Sequence, residues 1–183
     1  LYQKLITDTY IVDINGNKLP GEAFDVDVAA EVKKPANERK LPVFVCNIDG
    51  SRKYILPVYG AGLWGPIWGY IALKDDFNTV YGAAFDHKSE TPGLGAEIAT
   101  EWFQNNFKGK SIFEGDEFVS VSVMKGGATP GNNHQVDAVT GGTITSKALD
   151  ETMKSWLGAY LPYIKEAKKS CEQLEEEVPF KVL

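Results

Sequence analysis

The sequence predicts an α+β fold: a single domain with a mostly antiparallel sheet and flanking helices. Short apolar runs rich in β-branched and aromatic residues follow one another from Leu41 to Phe85, each bounded by Gly or Pro, as is typical of neighbouring strands. Two later segments instead repeat apolar residues every three or four positions, which indicates helices that pack beside the sheet.

The length and composition agree with a folded domain of this kind. The chain has 183 residues, of which 43% are hydrophobic, 11% aromatic and 24% charged, close to the averages for soluble globular proteins. No apolar run reaches the roughly 18 residues of a membrane span. The formal net charge of −6 leaves no basic surface for the phosphates of DNA or RNA, so no nucleic-acid partner is expected.

The first 40 residues predict a small extended region. The stretch from Thr9 to Asp27 has the pattern of a short strand, a tight turn at Asn15 and Gly16, and a second extended run. The mixed charges that follow indicate a surface helix or loop that ends near Pro35.

Five segments are predicted to be sheet strands. Four are continuous apolar runs, and Trp68, inside the third, is expected to be a core residue. The fifth, Glu117–Met124, alternates apolar and polar residues, as a strand with one solvated face does. The four runs are 41–48, 53–60, 67–73 and 79–85.

Two helices are predicted after the apolar runs. The first covers residues 96–107 and places four large apolar side chains on one face. The second carries apolar residues at steps of three and four from Leu149 to Ile164, and Pro162 is expected to kink or end it. The charged tail, 164–177, indicates a solvated helical extension. The apolar residues of the first helix are Ile98, Trp102, Phe103 and Phe107.

The potential metal ligands and nucleophiles form no recognisable site. His87 and His134 have no metal-binding spacing to either cysteine, and no CxxC motif is present. Cys46 is expected to be a buried thiol and Cys171 an exposed one, and a disulfide between them stays open only for an oxidising compartment. No nucleophile, base and orienting group occur together, and no Walker or dinucleotide fingerprint is present.

The stretch DAVTGGTITS, residues 137–146, is suited to holding an anion. Gly141 and Gly142 permit positive φ angles and close approach of another group, and the longer predicted helix begins just after them. The N–H groups and the positive dipole end of a helix start favour a phosphate. The residues alone leave open either a turn with a helix cap or an attachment site. The N-cap candidates are Thr143, Thr145 and Ser146.

This stretch resembles the flavinylation motif of the FMN-binding domain family. That motif has Asp, two variable residues, then Ser or Thr, Gly, a small residue and Thr, followed by another Thr or Ser. The resemblance implies that Thr143 carries FMN through a phosphoester bond, placed there by a magnesium-dependent flavin transferase that uses FAD. Thr140 and Gly142 depart from the usual Ser-Gly-Ala-Thr core, which bears on the efficiency of modification more than on its site.

Two further segments extend the resemblance. Residues 60–73, GAGLWGPIWGYIAL, and 87–98, HKSETPGLGAEI, are similar to glycine-rich segments of the C-subunit family of sodium-translocating NADH:quinone oxidoreductases. Three separated motifs in the right order are more specific than one turn motif. The G-subunit family of Rnf complexes shares two of them and stays an alternative, although the Leu63–Trp64 pair favours the first family.

The resemblance also implies which residues surround the flavin. The backbone of residues 90–94 is expected to line the isoalloxazine, and Leu63 and Trp64 to cover its faces. Lys125 is expected either to approach the flavin or its phosphate or to be a solvated loop residue, and Asp137 to fix the turn of the motif. The implied FMN-binding residues are Leu63, Trp64, Glu90, Thr91, Gly93, Leu94, Lys125, Asp137, Thr140, Gly141, Gly142, Thr143 and Ile144.

The function implied by the resemblance is electron relay through covalent FMN within a membrane NADH:quinone oxidoreductase that pumps sodium ions. Its partners would be the other membrane subunits and the flavin transferase, at the bacterial inner membrane with this domain facing the periplasm. The implied division is an N-terminal segment 1–40 after a membrane anchor, an FMN-binding domain 41–165 and a charged helical tail 166–183. A non-catalytic interaction module, in which the glycine motifs are only turns, is the alternative from another class.

Overall fold

A computed structural model describes the backbone of residues 5–176 and the side chains up to residue 173. Six strands form one sheet in the order β2-β1-β3-β4-β5-β6, and every neighbouring pair is antiparallel. The four apolar runs predicted to be strands correspond to the four consecutive strands β3 to β6 of this sheet. The strands are β1 (Ile6–Val12), β2 (Lys18–Leu19), β3 (Leu41–Ile48), β4 (Ser51–Ala61), β5 (Pro66–Leu73) and β6 (Val80–His87).

Helices and two small sheets complete the domain, which confirms the predicted α+β class. The helices are α1 (Val28–Glu31), α2 (Glu101–Asn105), α3 (Thr143–Ala159) and α4 (Leu161–Glu176). The small sheets pair β7 (Phe113–Glu114) with β8 (Glu117–Phe118), and β9 (Ser122–Met124) with β10 (Gln135–Asp137) in parallel. Within residues 5–176 no helix is both long and apolar enough to cross a membrane.

The core lies between one face of the sheet and α3. Along β5 the buried residues Ile67, Ile71 and Leu73 share one face, because successive strand residues face opposite sides, and they belong to the same core cluster as the buried residues of α3. Two aromatic side chains at the C-terminal end of α3 donate to strand carbonyls: Trp156 Nε1 to that of Tyr59, and the hydroxyl of Tyr160, the C-cap residue, to that of Pro42. The predicted stripe is confirmed by burial, although it continues from α3 into α4 and Leu161 is only half-buried. Its buried members are Leu149, Met153, Trp156, Leu157, Tyr160 and Ile164.

The same alternation overturns one prediction for the sheet. Trp68 lies between Ile67 and Gly69, both of which are buried, so its side chain points to the opposite face, where it is only half-buried. An apolar run does not show which of its residues are in the core, because the pleat of the strand directs alternate side chains to opposite faces of the sheet.

The predicted helix over 96–107 is also wrong as a single element. A 3-10 helix covers Gly95–Ala99, and α2 starts only after Thr100, whose backbone is extended at φ −83 and ψ 148. This break rotates the following residues, so Trp102 is 54% exposed although Phe103 is buried.

The alternating segment from Glu117 to Met124 is divided rather than continuous. Ser120 has a positive φ of 60 and separates β8 from β9. The N–H groups of Val119 and Ser120 both donate to the carbonyl of Ile112, which interrupts regular strand pairing. The prediction of one solvated face is also wrong, because Ser120 is buried together with its neighbour Val121, and β8 and β9 belong to the two small sheets rather than to the six-stranded one.

Pro162 marks the boundary between the last two helices. It lies in the first turn of α4, where its missing N–H costs little, and α3 ends before it as predicted.

The two cysteines differ in burial from each other. No disulfide joins them in the described structure. Cys46 is buried, but Cys171 is half-buried rather than exposed, and its Sγ lies 3.6 Å from the carbonyl oxygen of Asp75.

Glu31 at the end of α1 is a buried carboxylate that fastens the segment before β3. Its Oε1 accepts from Lys34 Nζ at 2.7 Å, and its Oε2 accepts from the Lys40 backbone N–H at 2.9 Å. Burial alone would raise the pKa of Glu31, but the hydrogen bonds and positive charges of Lys34 and Lys40 outweigh it and hold the pKa below its ordinary value.

The Glu31→Gln variant is therefore expected to lower the free energy of unfolding by about 1–2 kcal/mol at neutral pH. A depressed carboxyl pKa contributes stability above the unfolded-state value, and this contribution is lost as the pH falls through the folded-state value. Urea titrations at pH 7 and below about pH 4 should show the difference from wild type shrinking in acid. The matched control is Glu38→Gln, at an exposed glutamate in the same segment. A difference that does not depend on pH would contradict the assignment.

Candidate functional site

A cavity of about 400 Å³ lies where three separate chain segments meet. The segments are the hairpin between β4 and β5, the loop after β6 and the start of α3, which carry the three sequence motifs. The volume lies within the roughly 300–1,000 Å³ of typical small-molecule sites. The lining residues are Leu63, Trp64, Glu90, Thr91, Leu94, Gly95, Gly141, Gly142, Thr143, Ile144 and Thr145.

In the hairpin between β4 and β5, the backbone of Trp64 is held by hydrogen bonds while its side chain is exposed. Its turn is closed by the Gly62 N–H, which donates to the Gly65 carbonyl at 2.7 Å. The Trp64 N–H donates to Glu90 Oε1 at 2.8 Å, and the Trp64 carbonyl accepts from Ser89 Oγ at 3.1 Å. The residue is nevertheless 65% exposed. An exposed indole on a fastened backbone is suited to stacking on a flat ligand.

The three hydroxyl side chains in the first turn of α3 have different surroundings. Thr145 and Ser146 are buried, and both hydroxyls are used inside the protein: Thr145 Oγ1 donates to Glu90 Oε2, and Ser146 Oγ accepts from the Val139 N–H at 3.0 Å. Thr143 is exposed and lines the cavity. Thr143 is therefore the hydroxyl residue of this helical turn that lines the cavity and whose side chain makes no hydrogen bond within the described structure.

The helix cap differs from the sequence prediction. The N-cap of α3 is Gly142, so neither Thr143, Thr145 nor Ser146 occupies that position. No side chain of the described residues caps this end, because the nearby hydroxyls are turned to other partners or to the cavity. The first backbone N–H groups of a 17-residue helix therefore remain suited to an anion.

The glycines of the motifs let the three segments approach one another. Gly141 has a positive φ of 76, and a Cβ on it would lie 2.6 Å from Leu94 Cδ2. A Cβ on Gly142 would lie 3.1 Å from the Leu94 carbonyl oxygen, and Gly142 is buried. Gly142 is thus needed for packing between segments within this chain, and Gly141 is the exposed member of the pair.

Four of the residues for which the resemblance implied contact with FMN do not line the cavity: Gly93, Lys125, Asp137 and Thr140. Asp137 Oδ1 accepts from the Ala128 N–H at 2.6 Å, so this carboxylate fastens the loop after β9 rather than the turn of the motif. Lys125 is exposed in that loop, directly after Met124, which pairs with Asp137. The roles proposed for these residues toward FMN stay predictions.

Two lining residues, Gly95 and Thr145, were absent from the predicted set. Thr145 lies four positions before Leu149, on the apolar stripe of α3, and this spacing was the available signal that its side chain points inward. A Cβ on Gly95 would overlap Thr145 Oγ1 and lie 3.1 Å from Thr145 Cβ on α3, a contact between segments that periodicity does not reveal.

A second cavity, of about 580 Å³, contains none of the predicted site residues. It lies over strand residues such as Phe44 and Tyr70, and its lining carries no charged side chain. The smaller cavity combines an exposed hydroxyl, an uncapped helix start and an exposed indole, so it is the better candidate for a cofactor.

Comparison with known proteins places these features in a family. The model of the FMN-binding domain family matches residues 62–158, which include all the residues that line the smaller cavity. The C subunit of the Na(+)-translocating NADH-quinone reductase of Vibrio vulnificus is 33% identical over 175 residues, covering 86% of this chain and 69% of the relative.

Two solved structures share the fold. The crystal structure of the C subunit of the same reductase from Parabacteroides distasonis has a TM-score of 0.82 and 49% identity, covering 89% of this chain and 80% of that one. NqrC of Shewanella oneidensis has a TM-score of 0.78 and 28% identity, covering 92% and 86%. The chain therefore belongs to the family of Na(+)-translocating NADH-quinone reductase C subunits, with an FMN-binding domain at residues 62–158.

Proposed function

We propose that this protein is an electron carrier of a sodium-pumping NADH:quinone oxidoreductase and that it holds FMN covalently on Thr143. One observation carries the assignment of the residue. Among the hydroxyl residues of the motif, Thr143 alone is both exposed and part of the cavity lining, whereas Thr145 and Ser146 are buried and hydrogen-bonded. Thr140 is exposed but lies outside the lining.

The surroundings of Thr143 fit both parts of FMN. A phosphodiester on its hydroxyl would keep a negative charge at the uncapped start of α3, where backbone N–H groups and the helix dipole favour it. Four large apolar side chains around the cavity are exposed and suit the flat ring. They are Leu63 (43% exposed), Trp64 (65%), Leu94 (43%) and Ile144 (60%).

The proposed role in the complex rests on the FMN proposed for this cavity and on the family to which the chain belongs. Bound FMN supplies electron transfer, and the protein supplies its position and its electrostatic environment. With no dinucleotide fingerprint in the sequence, we propose that electrons arrive from and leave to other subunits, that a flavin transferase attaches the FMN, and that the domain faces the periplasm. The relatives and solved structures compared above are C subunits, which favours this assignment over an Rnf G subunit.

Intact-mass spectrometry of the protein co-expressed with a flavin transferase tests the proposal. We expect a mass increase equal to one FMN less one water, with visible flavin absorbance that survives denaturation. The protein expressed without the transferase is the control and should have the unmodified mass. An unmodified mass after co-expression, with a known flavinylated protein modified in the same cells, would contradict covalent attachment.

A further inference from the structure

We propose that Glu90 is a positioning residue, which fixes the Trp64 side of the cavity to the start of α3 before any FMN is attached. The inference rests on the proposed function, since it assigns a purpose to the geometry of that same cavity. It adds a specific claim: one carboxylate sets the distance between the exposed indole and the helix turn that carries Thr143.

The connection consists of three hydrogen bonds from two adjacent residues. Glu90 Oε1 accepts from the Trp64 N–H at 2.8 Å, and Ser89 Oγ donates to the Trp64 carbonyl at 3.1 Å. Both backbone polar groups of Trp64 are thus held by the loop after β6. The other carboxylate oxygen, Oε2, accepts from the hydroxyl of Thr145 in the first turn of α3, 55 positions away in the chain.

Glu90 is a buried carboxylate, and burial of a charged group is costly for a residue with only a packing role. It is 4% exposed, and none of the ion pairs among the described residues includes it. Burying a carboxylate without a cation is costly unless hydrogen bonds satisfy its oxygens. Its surroundings accommodate it closely, because a Cβ on Gly62 would lie 2.6 Å from Oε1 and a Cβ on Gly95 would lie 2.6 Å from Oε2.

The side chain that depends on this connection has little support of its own. Trp64 is 65% exposed, so its indole is placed by the backbone of the hairpin rather than by packing. Holding the indole in place before the ligand arrives reduces the ordering cost of binding. Loss of the carboxylate should therefore leave the sheet and α3 intact while freeing the hairpin tip.

Hydrogen exchange of the protein made without flavin tests the connection directly. In Glu90→Ala the Trp64 amide should exchange roughly tenfold faster or more, because its acceptor is gone, while amides of the core strand β5 keep their rates. Glu90→Gln is the matched variant: its carbonyl can accept from Trp64 and its amide can donate to Thr145 Oγ1, so the Trp64 rate should stay near that of wild type. An unchanged Trp64 rate in a folded Glu90→Ala would overturn the proposal.

The Thr145→Val and Thr145→Ser pair keeps the test decisive if Glu90→Ala does not fold. Valine retains the shape but removes the donor to Oε2, whereas serine retains the hydroxyl. In flavinylated protein, Thr145→Val should weaken the visible circular dichroism of the flavin and lower its fluorescence anisotropy, and Thr145→Ser should restore both. Flavin signals in Thr145→Val equal to those of wild type would overturn the positioning role. The exchange measurement needs no flavin, so a failure of covalent attachment would be recognised separately.

Discussion

Thr143→Ala is expected to abolish covalent flavin attachment, leaving protein of unmodified mass after co-expression with the transferase. The phosphoester needs a side-chain oxygen, and the remaining hydroxyls in this turn belong to Thr145 and Ser146, which are buried. Thr143→Ser keeps an oxygen at the same position and should retain the adduct. Intact mass, followed by mapping of the modified peptide, measures both outcomes.

The loss should not reflect unfolding. Thr143 is an exposed first residue of α3, and no hydrogen bond from its side chain is recorded in the described structure, so its truncation should change the free energy of unfolding by no more than about 0.5 kcal/mol. Thr140→Ala is the matched control, since it removes an exposed hydroxyl three residues earlier that lies outside the cavity. An adduct that persists in Thr143→Ala and disappears in Thr140→Ala would move the attachment site.

The parts of the fold that follow local periodicity were predictable. The run from Leu41 to Ile48 and its three successors are strands, and the stripe from Leu149 onward is the buried face of α3. Predictions failed where one backbone angle changes the register, as at Thr100 before Trp102 and at Ser120 within the alternating segment. Apolar spacing does not record such a change, because buried residues resume after it.

The site was predictable to the extent that its residues belong to motifs. Nine of the cavity residues, from Leu63 to Ile144, are residues for which the resemblance implied contact with FMN. The bond between Thr145 and Glu90 was not predictable, because it joins residues 55 positions apart and depends on how α3 docks on the sheet. Asp137 shows the converse, since it belongs to the motif but its carboxylate is bonded to Ala128.

The docking of α3 on β4 is also where a single methyl group should have a large effect. A Cβ on Gly60 would overlap Thr152 Oγ1 and approach Thr152 Cβ to 3.1 Å, and Thr152 is 7% exposed. We expect Gly60→Ala to lower the free energy of unfolding by about 2–3 kcal/mol, because neither the strand nor the helix can move without disturbing the core. Urea denaturation followed by far-UV circular dichroism measures this difference.

The same substitution should disturb the site, because Gly60 lies two residues before Gly62, where the hairpin turn that carries Trp64 begins, and Thr152 lies on the helix that begins at Thr143. Gly82→Ala is the matched control: it also adds a methyl group to a strand glycine, but no atom lies within 4 Å of the new Cβ, so stability should be retained. Thr152→Ala removes the overlapping oxygen, and in the double variant it should recover about 1–2 kcal/mol of the loss. A Gly60→Ala protein as stable as Gly82→Ala would show that the helix and strand can separate there without cost. Strictly additive effects of Gly60→Ala and Thr152→Ala would show that the loss does not come from the contact between these two residues.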